Sequence, residues 1–366
     1  MKKVFFIANS AWYLRNFREN TLKEFSNRYQ TTCVYPDGED SDVPNIAGIL
    51  HKKIRLVAHS KNPILELTSF FSIFYCFLVN KPDVVFSFNP KTNLYSLISC
   101  FILRIPCVPN VSGVGVASEM RGVLGFAYRN LCKFFFRRAA FVFFQNTDDE
   151  RLFLKQNLVY KEKSEVLPGS GIDLLKWTPS RVNSRCEVFL MASRLIRPKG
   201  VLEYAAAACE VHKYTENSVF YLAGVPDHSD RAVDVSIFSN AEGDSPVVFL
   251  GHIADMAKLL EGVDCVVLPS YYPEGTPRIL IEAAAAGKII ITTDTPGCRD
   301  LVDSEDNGFL ISPRSTQALA QAMVKAVNLT ATEASRMKMM SRKKAESRYN
   351  EKNVINSYIR IAGKIL

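Results

Sequence analysis

Short runs of apolar residues alternate with amphipathic stretches of helical length along most of the chain. Apolar runs at 4–8, 83–88, 187–192 and 264–268 are typical of buried parallel strands, and each precedes a segment with helical periodicity. This alternation predicts α/β domains built on parallel sheets. A length of 366 residues exceeds what one hydrophobic core usually supports, so two domains are expected. The composition of residues 179–185 is that of a linker, which predicts domains at 1–179 and 180–352.

The stretch 271–287 is the most informative part of this pattern. It lies between apolar runs at 265–270 and 289–292, which predicts a strand, a loop, a short helix and a second strand. Thr276 suits the N-cap of that helix and Pro277 its first position.

Two kinds of ligand-binding group belong to this unit. The helix start would leave N–H groups, on Arg278 and Ile279 among others, where an anionic ligand can bind. Glu274 stands in the loop before the helix, and Glu282 lies inside it among alanines. A glutamate in so small and apolar a helix needs a partner. The simpler alternative is that Glu282 is half exposed or pairs with an arginine.

Two cations, Arg194 and Lys199, follow another predicted strand and precede a helix predicted at 201–214. Basic side chains in such a loop form a clamp for a phosphate group. Without the glutamates of 271–287 they would be interpreted as surface charges. The two features together favour a phosphate site.

The first half of the chain has candidate binding positions of its own. The turn at Asn9 and Ser10 connects the first strand to a helix at 12–28, which contains Arg18. A strand at 108–116 ends in a glycine loop, and glycines let a ligand approach the backbone where the strands of an open sheet end. The alternatives are that Arg18 lies on a solvated helix face and that the loop is a simple turn. The absence of a G-x-G-x-x-G motif argues against dinucleotide binding.

The net charge of +8 is distributed unevenly. Residues 1–180 contain 23 Lys and Arg against 15 Asp and Glu, whereas the remainder contains 22 of each. This asymmetry predicts an anionic partner for the first domain, which is nucleic acid, a membrane surface or a phosphorylated substrate. A basic, aromatic-rich helix at 121–138 favours the membrane surface. Buried Phe with a solvated basic face is the alternative. The apolar helix at 63–79 is too short to span a bilayer, so a core or interfacial position is expected.

Metal and disulfide chemistry find little support in the sequence. The nine cysteines are scattered without a C-x-x-C pair, which favours a reducing compartment and argues against a disulfide framework or a zinc site. Asp40-Ser41-Asp42 matches a metal-binding D-x-D, but it stands in a hydrophilic loop. The apolar run after Met1 is too short for a signal peptide, so a cytoplasmic protein is expected.

Glu274, seven intervening residues and Glu282, together with Arg194-Leu195 and Lys199-Gly200, resemble the signatures of the retaining glycosyltransferases of family 4. The resemblance implies the α/β GT-B fold, with two Rossmann-like doubly wound domains facing a central cleft. It also implies that a last helix at 353–366 packs back on the first domain. In this family the donor is a nucleotide sugar, which is expected to be a UDP-sugar here, and no metal or cofactor is needed.

The resemblance also implies roles for individual residues. Glu274 would bind the transferred sugar, Glu282 the ribose hydroxyls, and Arg194 and Lys199 the diphosphate, so the implied catalytic set is Glu274, Arg194 and Lys199. The implied donor-binding residues are Glu282, Gly275, Thr276, Pro277, Arg278, Ile279 and His252. The region around Arg18 and the glycine loop resemble enzymes that act on polyprenyl-diphosphate-linked saccharides, and the implied acceptor-binding residues are Asn9, Ser10, Arg18, Ser112, Gly113 and Gly115.

Together these features predict a hexosyltransferase of surface polysaccharide or glycan biosynthesis. It would be attached peripherally to the anionic inner face of the membrane through 121–138, with 63–79 as a second candidate segment, and would have no nucleic-acid partner. Two other functions stay open: a UDP-sugar 2-epimerase of the same architecture, and a non-catalytic protein that binds nucleotide sugars.

Overall fold

The computed structural model describes residues 1–38, 43–44, 46–57, 62–113, 122–179, 186–227, 229–238 and 245–366. The strands in these ranges are β1 Lys3–Ile7, β2 Gln30–Pro36, β3 Leu50–Ile54, β4 Val84–Phe88, β5 Cys107–Val111, β6 Val142–Phe144, β7 Ser164–Val166, β8 Val188–Ala192, β9 Val219–Ala223, β10 Val247–Gly251, β11 Cys265–Leu268, β12 Ile289–Thr293 and β13 Gly308–Ile311. The α-helices are α1 Ala11–Ser26, α2 Pro63–Asn80, α3 Pro90–Leu103, α4 Gly122–Phe136, α5 Thr147–Lys155, α6 Val201–His212, α7 Met256–Glu261, α8 Arg278–Ala285, α9 Thr316–Val327, α10 Ala331–Arg348 and α11 Glu351–Ile365.

The chain divides into two compact units. The first comprises Met1–Gly171 with Lys352–Leu366, and the second comprises Ile172–Glu351. The division falls before the predicted linker because the backbone of Ile172 already bonds to the end of the second unit: its N–H donates to Tyr349 O at 2.8 Å, and its carbonyl accepts from Glu351 N–H at 3.0 Å.

Each unit contains one parallel sheet. The first has the strand order β3-β2-β1-β4-β5-β6-β7 and the second the order β10-β9-β8-β11-β12-β13. Every pairing between these neighbours is parallel. The prediction of two Rossmann-like α/β domains is therefore confirmed.

The core of the first unit has two layers, one on each face of the sheet. Side chains alternate along β1, so Phe5 and Ile7 pack with α2, α3, α4 and α5, whereas Val4 and Phe6 pack with α1 and α11. The second unit has one continuous buried cluster around its sheet. In each sheet the strand order reverses beside the first strand, between β1 and β4 and between β8 and β11, and such a switch point is where open α/β sheets bind ligands.

Helix α2 is the one helix of the described residues that is long and apolar enough to span a membrane, judged by length and composition only. Only 22% of its 18-residue window is buried. The expectation that it is too short for a span is therefore not supported by length alone. Of the two expected positions, a core position does not fit, because most of its apolar side chains lie on the protein surface, and the interfacial position stays a prediction.

Candidate functional site

The predicted donor residues of the second unit gather at its switch point. Arg194 and Lys199 lie in the loop after β8, and Glu274 lies in the loop after β11, which pairs with β8. The two loops touch: Tyr271 N–H donates to Pro198 O at 2.8 Å. Gly200 is essential to this approach, since its φ is +81° and a Cβ there would lie 2.4 Å from Pro269 O.

Lys199 and Glu274 form a direct ion pair. Their side chains are only 12% and 11% exposed, so the pair is shielded from solvent. Ser270 Oγ donates a further hydrogen bond to Glu274 Oε1 at 3.0 Å. A carboxylate this shielded from solvent needs hydrogen-bond or charged partners. Lys199 and Ser270 together hold the Glu274 carboxylate in one position in the loop after β11.

Arg194 is the more accessible cation of the site. Its side chain is 53% exposed, and its Nη1 lies 3.9 Å from Asp227 Oδ2. The guanidinium lies 5.7 Å from the centre of the Tyr272 ring, and Lys199 Nζ lies 5.5 Å from the same centre. Tyr272 therefore brings the two cations close to one aromatic ring and keeps them on one side of the site.

Helix α8 starts one position later than the sequence predicted. Pro277 is the N-cap and Arg278 the first helical residue, so Thr276 is not the cap. The Pro277 carbonyl accepts from the N–H groups of Leu280 and Ile281, and no side chain caps the helix. The helix start still faces the loop that holds Glu274 and Gly275, as an anion site there requires.

Glu282 forms an ion pair with Arg278, one helical turn away in α8. Arg278 Nε donates to Glu282 Oε1 at 2.9 Å, and the glutamate side chain is 15% exposed. Burial raises the pKa of Glu282, although the charge and hydrogen bond of Arg278 oppose this shift. The structure therefore contains the pairing with an arginine that was part of the simpler alternative for Glu282.

A third loop, which follows β12, packs against the segment that contains Ser270 and Gly275. Gly297 has a φ of +78°, and a Cβ there would lie 1.9 Å from Gly275 O. Thr295 Oγ1 donates to Ser270 O at 3.3 Å, and Thr293 Oγ1 bonds to the same carbonyl. The segment from Ser270 to Gly275 is thus fixed by loops on both sides.

His252 stands apart from this cluster. It is exposed in the loop after β10, and β9 separates that strand from β8. Its predicted role in donor binding stays a prediction.

The predicted acceptor residues lie at the switch point of the first sheet. Ser10 Oγ caps α1 by accepting from Tyr13 N–H at 3.1 Å. Asn9 N–H donates to Asn89 Oδ1 at 3.2 Å, which links the loops after β1 and β4. Asn89 itself has a φ of +72°, a strained value for a residue with a side chain.

Arg18 is buried, so the alternative of a solvated helix face is wrong. Its side chain is 1% exposed, and the rings of Tyr13, Phe88 and Tyr358 surround the guanidinium at 5.8, 4.8 and 5.4 Å. Nη2 donates to Tyr13 Oη at 3.3 Å, whereas Nε and Nη1 have no hydrogen-bond partner within the described ranges. The aromatic rings stabilise a cation that no carboxylate in those ranges neutralises.

The glycine loop is only partly described. Ser112 is half-buried after β5, and Gly113 is buried with a φ of +97°. Gly115 lies outside the described residues, as do Asp40, Ser41 and Asp42. Across the part of the chain that is described, no group of three His, Cys, Asp or Glu side chains could hold a metal ion.

Three residues of the donor-side cluster escaped the sequence analysis: Ser270, Tyr272 and Asp227. Ser270 and Tyr272 stand in the same loop as Glu274, so their position was a usable signal. Asp227 carried no such signal, because only the parallel pairing of β8 with β9 brings its loop beside Arg194.

Comparison with known proteins finds a family model and several similar chains. Residues 186–328 match the family model described as Glycosyl transferases group 1. The N,N'-diacetylbacillosaminyl-diphospho-undecaprenol alpha-1,3-N-acetylgalactosaminyltransferase of Campylobacter jejuni is 25% identical over 87% of this chain and 88% of its own length. The UDP-Gal:alpha-D-GlcNAc-diphosphoundecaprenol alpha-1,3-galactosyltransferase of Escherichia coli is 26% identical over 72% of this chain and 70% of its own.

A solved structure extends the likeness to the whole fold. Anabaena Alr3699/HepE in complex with UDP-glucose superposes with a TM-score of 0.75 at 20% identity, covering 100% of this chain and 99% of that chain. At this identity the likeness concerns the fold. The matched segment 186–328 contains Arg194, Lys199, Glu274 and Glu282. The chain thus has the GT-B fold, and its residues 186–328 match the model of the glycosyl transferases group 1 family.

Proposed function

We propose that the protein is a retaining glycosyltransferase of family 4. It transfers a hexose or N-acetylhexosamine from a UDP-sugar to a polyprenyl-diphosphate-linked saccharide, in the synthesis of a surface polysaccharide or glycan. The observation that carries this proposal is the joining of Lys199 and Glu274 at the switch point of the second sheet, with Arg194 beside them. A cation pair and a fixed carboxylate suit a diphosphate and a sugar that are bound side by side.

The chemistry follows from where charge develops. The bond between the sugar C1 and the diphosphate oxygen breaks, the acceptor hydroxyl oxygen bonds to C1 on the same face, and its proton passes to the departing phosphate oxygen. Negative charge grows on the leaving diphosphate. Arg194, Lys199 and the start of α8 would neutralise it, so the proposal requires neither a metal nor a cofactor.

The two glutamates would bind the parts of the donor other than the diphosphate, namely the transferred sugar and the ribose. Glu274 accepts from Lys199 and Ser270, and its carboxylate would also accept hydrogen bonds from the hydroxyls of the transferred sugar. Glu282, held by Arg278, would accept from the ribose hydroxyls. Both contacts act in binding and positioning, which is sufficient because the mechanism needs no protein nucleophile.

The acceptor class rests on the relatives. Both sugar transferases reported above are named for undecaprenyl-diphosphate-linked acceptors. The excess of positive charge in residues 1–180 fits an acceptor that carries a diphosphate and is anchored in an anionic membrane. We therefore place the enzyme in the cytoplasm on the inner membrane face, attached through 121–138 and 63–79.

A transfer assay tests the proposal. The protein is incubated with a panel of UDP-hexoses and UDP-N-acetylhexosamines and a short-chain polyprenyl-diphosphate-linked N-acetylglucosamine, with and without EDTA. We expect UDP release and one glycosylated product, unaffected by EDTA, whose anomeric proton coupling shows the configuration of the donor. An inverted product, or an epimerised UDP-sugar formed without acceptor, would sink the proposal.

A further inference from the structure

Helices α2, α3 and α4 form one layer on the outside of the first sheet. They contribute to the same core cluster, so they cover the same face of the sheet. Lys91 of α3 pairs with Glu66 of α2 at 2.7 Å, and the rings of Tyr95 and Phe70 lie 5.9 Å apart, which shows that α2 and α3 run side by side in the same direction. The outer side of this layer is a surface of the first unit.

Helix α2 presents a long apolar stripe on that surface. Ile64, Leu67, Phe71, Tyr75 and Leu78 follow one another at spacings of three and four residues, so they lie on one helix face. They are between 45% and 71% exposed. A continuous stripe of this kind is unusual on a water-facing helix and marks an interaction site.

The stripe continues across the neighbouring helices. Phe101 and Ile102, at the end of α3, are about half exposed, as are Leu131 and Phe134 of α4. The Phe101 and Phe134 rings meet edge to face at 5.6 Å. The apolar surface therefore reaches from α2 over α3 to α4.

Cations border this surface on both sides. Beyond α4 an open pocket is lined by Asn130, Lys133, Phe134, Arg137, Arg138 and Tyr160. Arg137 bonds to Tyr160 Oη, and the Arg138 guanidinium lies 3.5 Å from the centre of the Phe134 ring. Within the described ranges, the three cations of the pocket form no ion pair. Beyond α2, the edge strand β3 and the residues after it expose Lys52 and Arg55.

We propose that this face docks on an anionic lipid bilayer, with α2 lying in the membrane plane, its stripe among the acyl chains, and a lipid phosphate in the pocket of Lys133, Arg137 and Arg138. An apolar stripe flanked by cations is complementary to the boundary between acyl chains and anionic headgroups. Helix α2 lies on the bilayer and does not cross it, because Ile73, Cys76 and Phe77 on its other face are buried in the core of the first unit.

This inference deepens the proposed function, since it brings the enzyme to a lipid-linked acceptor, but its test needs no sugar transfer. The full chain is floated with vesicles of phosphatidylglycerol in phosphatidylcholine and with vesicles of phosphatidylcholine alone. We expect binding to the anionic vesicles that falls as salt rises, and much weaker binding to the neutral ones.

Two variants with matched controls separate the two parts of the surface. Phe71→Gln with Tyr75→Gln should weaken partitioning by about tenfold or more, whereas Leu202→Gln with Tyr214→Gln, exposed apolar residues of the second unit, should not.

For the pocket, Lys133→Gln, Arg137→Gln and Arg138→Gln combined should weaken binding to anionic vesicles by roughly a hundredfold and leave binding to neutral ones unchanged. The charge control replaces three exposed lysines of the second unit, Lys213, Lys258 and Lys343, with Gln.

Three results would overturn the inference. The first is equal binding to both vesicle types, and the second is an equal effect of the variants and their controls. The third is a dimer in solution that the Phe71→Gln, Tyr75→Gln variant converts to a monomer, because the stripe would then cover a second copy of the chain. Transfer to a water-soluble acceptor analogue should be the same for all variants. A protein inactive in transfer that still binds anionic vesicles would refute the proposed function alone.

Discussion

Glu274 and Glu282 belong to one sequence signature but are held by different means. Glu274 depends on Lys199, which lies 75 residues away in the chain, so its position requires the two loops to meet. Glu282 depends on Arg278 in the same helix and is positioned as soon as α8 forms. The position of Glu274 therefore requires the assembled site, whereas the position of Glu282 requires only helix α8.

Arg194→Ala should strongly reduce sugar transfer while changing the thermal stability of the protein very little. The side chain is half exposed and its pair with Asp227 is long, so its loss should change Tm by no more than about 2–4 °C. The loss of a cation from the leaving diphosphate should lower kcat by about 100-fold to 1000-fold. Arg197→Ala, an exposed arginine of the same loop, is the control. Unchanged turnover in Arg194→Ala, or an equal loss in both variants, would contradict the diphosphate clamp.

Glu282→Gln should alter the pH dependence of stability. Burial raises the pKa of Glu282 above the usual value, so the folded state holds this proton more tightly than the unfolded state. The stability contributed by this carboxyl is fully present below its usual pKa and is lost as pH rises through the raised pKa.

The Glu282→Gln variant has no carboxyl at this position, so its stability does not fall with rising pH for this reason. Its Tm relative to the unmodified protein should therefore improve as the pH rises above about 4, the usual pKa of a glutamate, as thermal melts followed by circular dichroism would show. Glu216→Gln, an exposed glutamate of the same unit, should show no such trend. A trend of opposite sign would mean that the charge of Arg278 outweighs burial.

At the scale of elements, the site is a junction of three loops. The loop after β11 touches the loop after β8 and the loop after β12, and Gly200 and Gly297 stand at these two contacts, where no Cβ fits. The motif residues are thus positioned by strands that are neighbours in the sheet, and glycines allow the loops to approach closely.

Gly297→Ala should disrupt this junction. A Cβ at this position would overlap Gly275 O, and the positive φ adds strain, so the expected destabilisation is about 3 kcal/mol or more, or a fall in Tm of roughly 6 °C or more. Gly48→Ala separates the two causes, since Gly48 also has a positive φ but no atom within 4 Å of its Cβ. That control should lose about 1–2 kcal/mol. Equal melting temperatures of the two variants would refute the close packing of the loops.

Helices and strands could be predicted where the evidence for them lies in the local sequence. The alternation of apolar runs and amphipathic segments gives the parallel sheets, and the spacing around Glu274 and Glu282 gives α8 to within one residue. Arg18 was beyond such reasoning, because the ring of Tyr358 that covers it comes from α11. The exposure of α2 was also hidden, since an apolar helix of this length is compatible with a core, an interface or a membrane.

At the scale of the molecule, each unit has its own sheet and its own core. The buried cluster of the second unit includes residues from Ile172 to Tyr349, all within Ile172–Glu351. The pairing of Lys199 with Glu274 could not be predicted, because the strand order that makes β8 and β11 neighbours is a property of the whole sheet.

A fragment of residues 172–351 should therefore fold alone and melt cooperatively. UDP should raise its Tm, because a ligand that binds only the folded state stabilises it. The fragment 1–171 lacks the buried Val354, Tyr358 and Ile361 of α11, and it should melt cooperatively only when a peptide of residues 352–366 is added. Calorimetry of the fragments is the measurement. A fragment 172–351 without a cooperative transition would contradict the independence of the second unit.

The placement of α11 also determines the order in which the protein can be completed during synthesis. The side chains that close one face of the first core follow the whole second unit in the chain. On the ribosome, the unit made first must therefore wait until the unit made later has emerged, because only then can Tyr358 of α11 pack on the rings of Phe86, Phe88 and Phe143. The second unit, continuous in the chain, can reach its native state before the first one does.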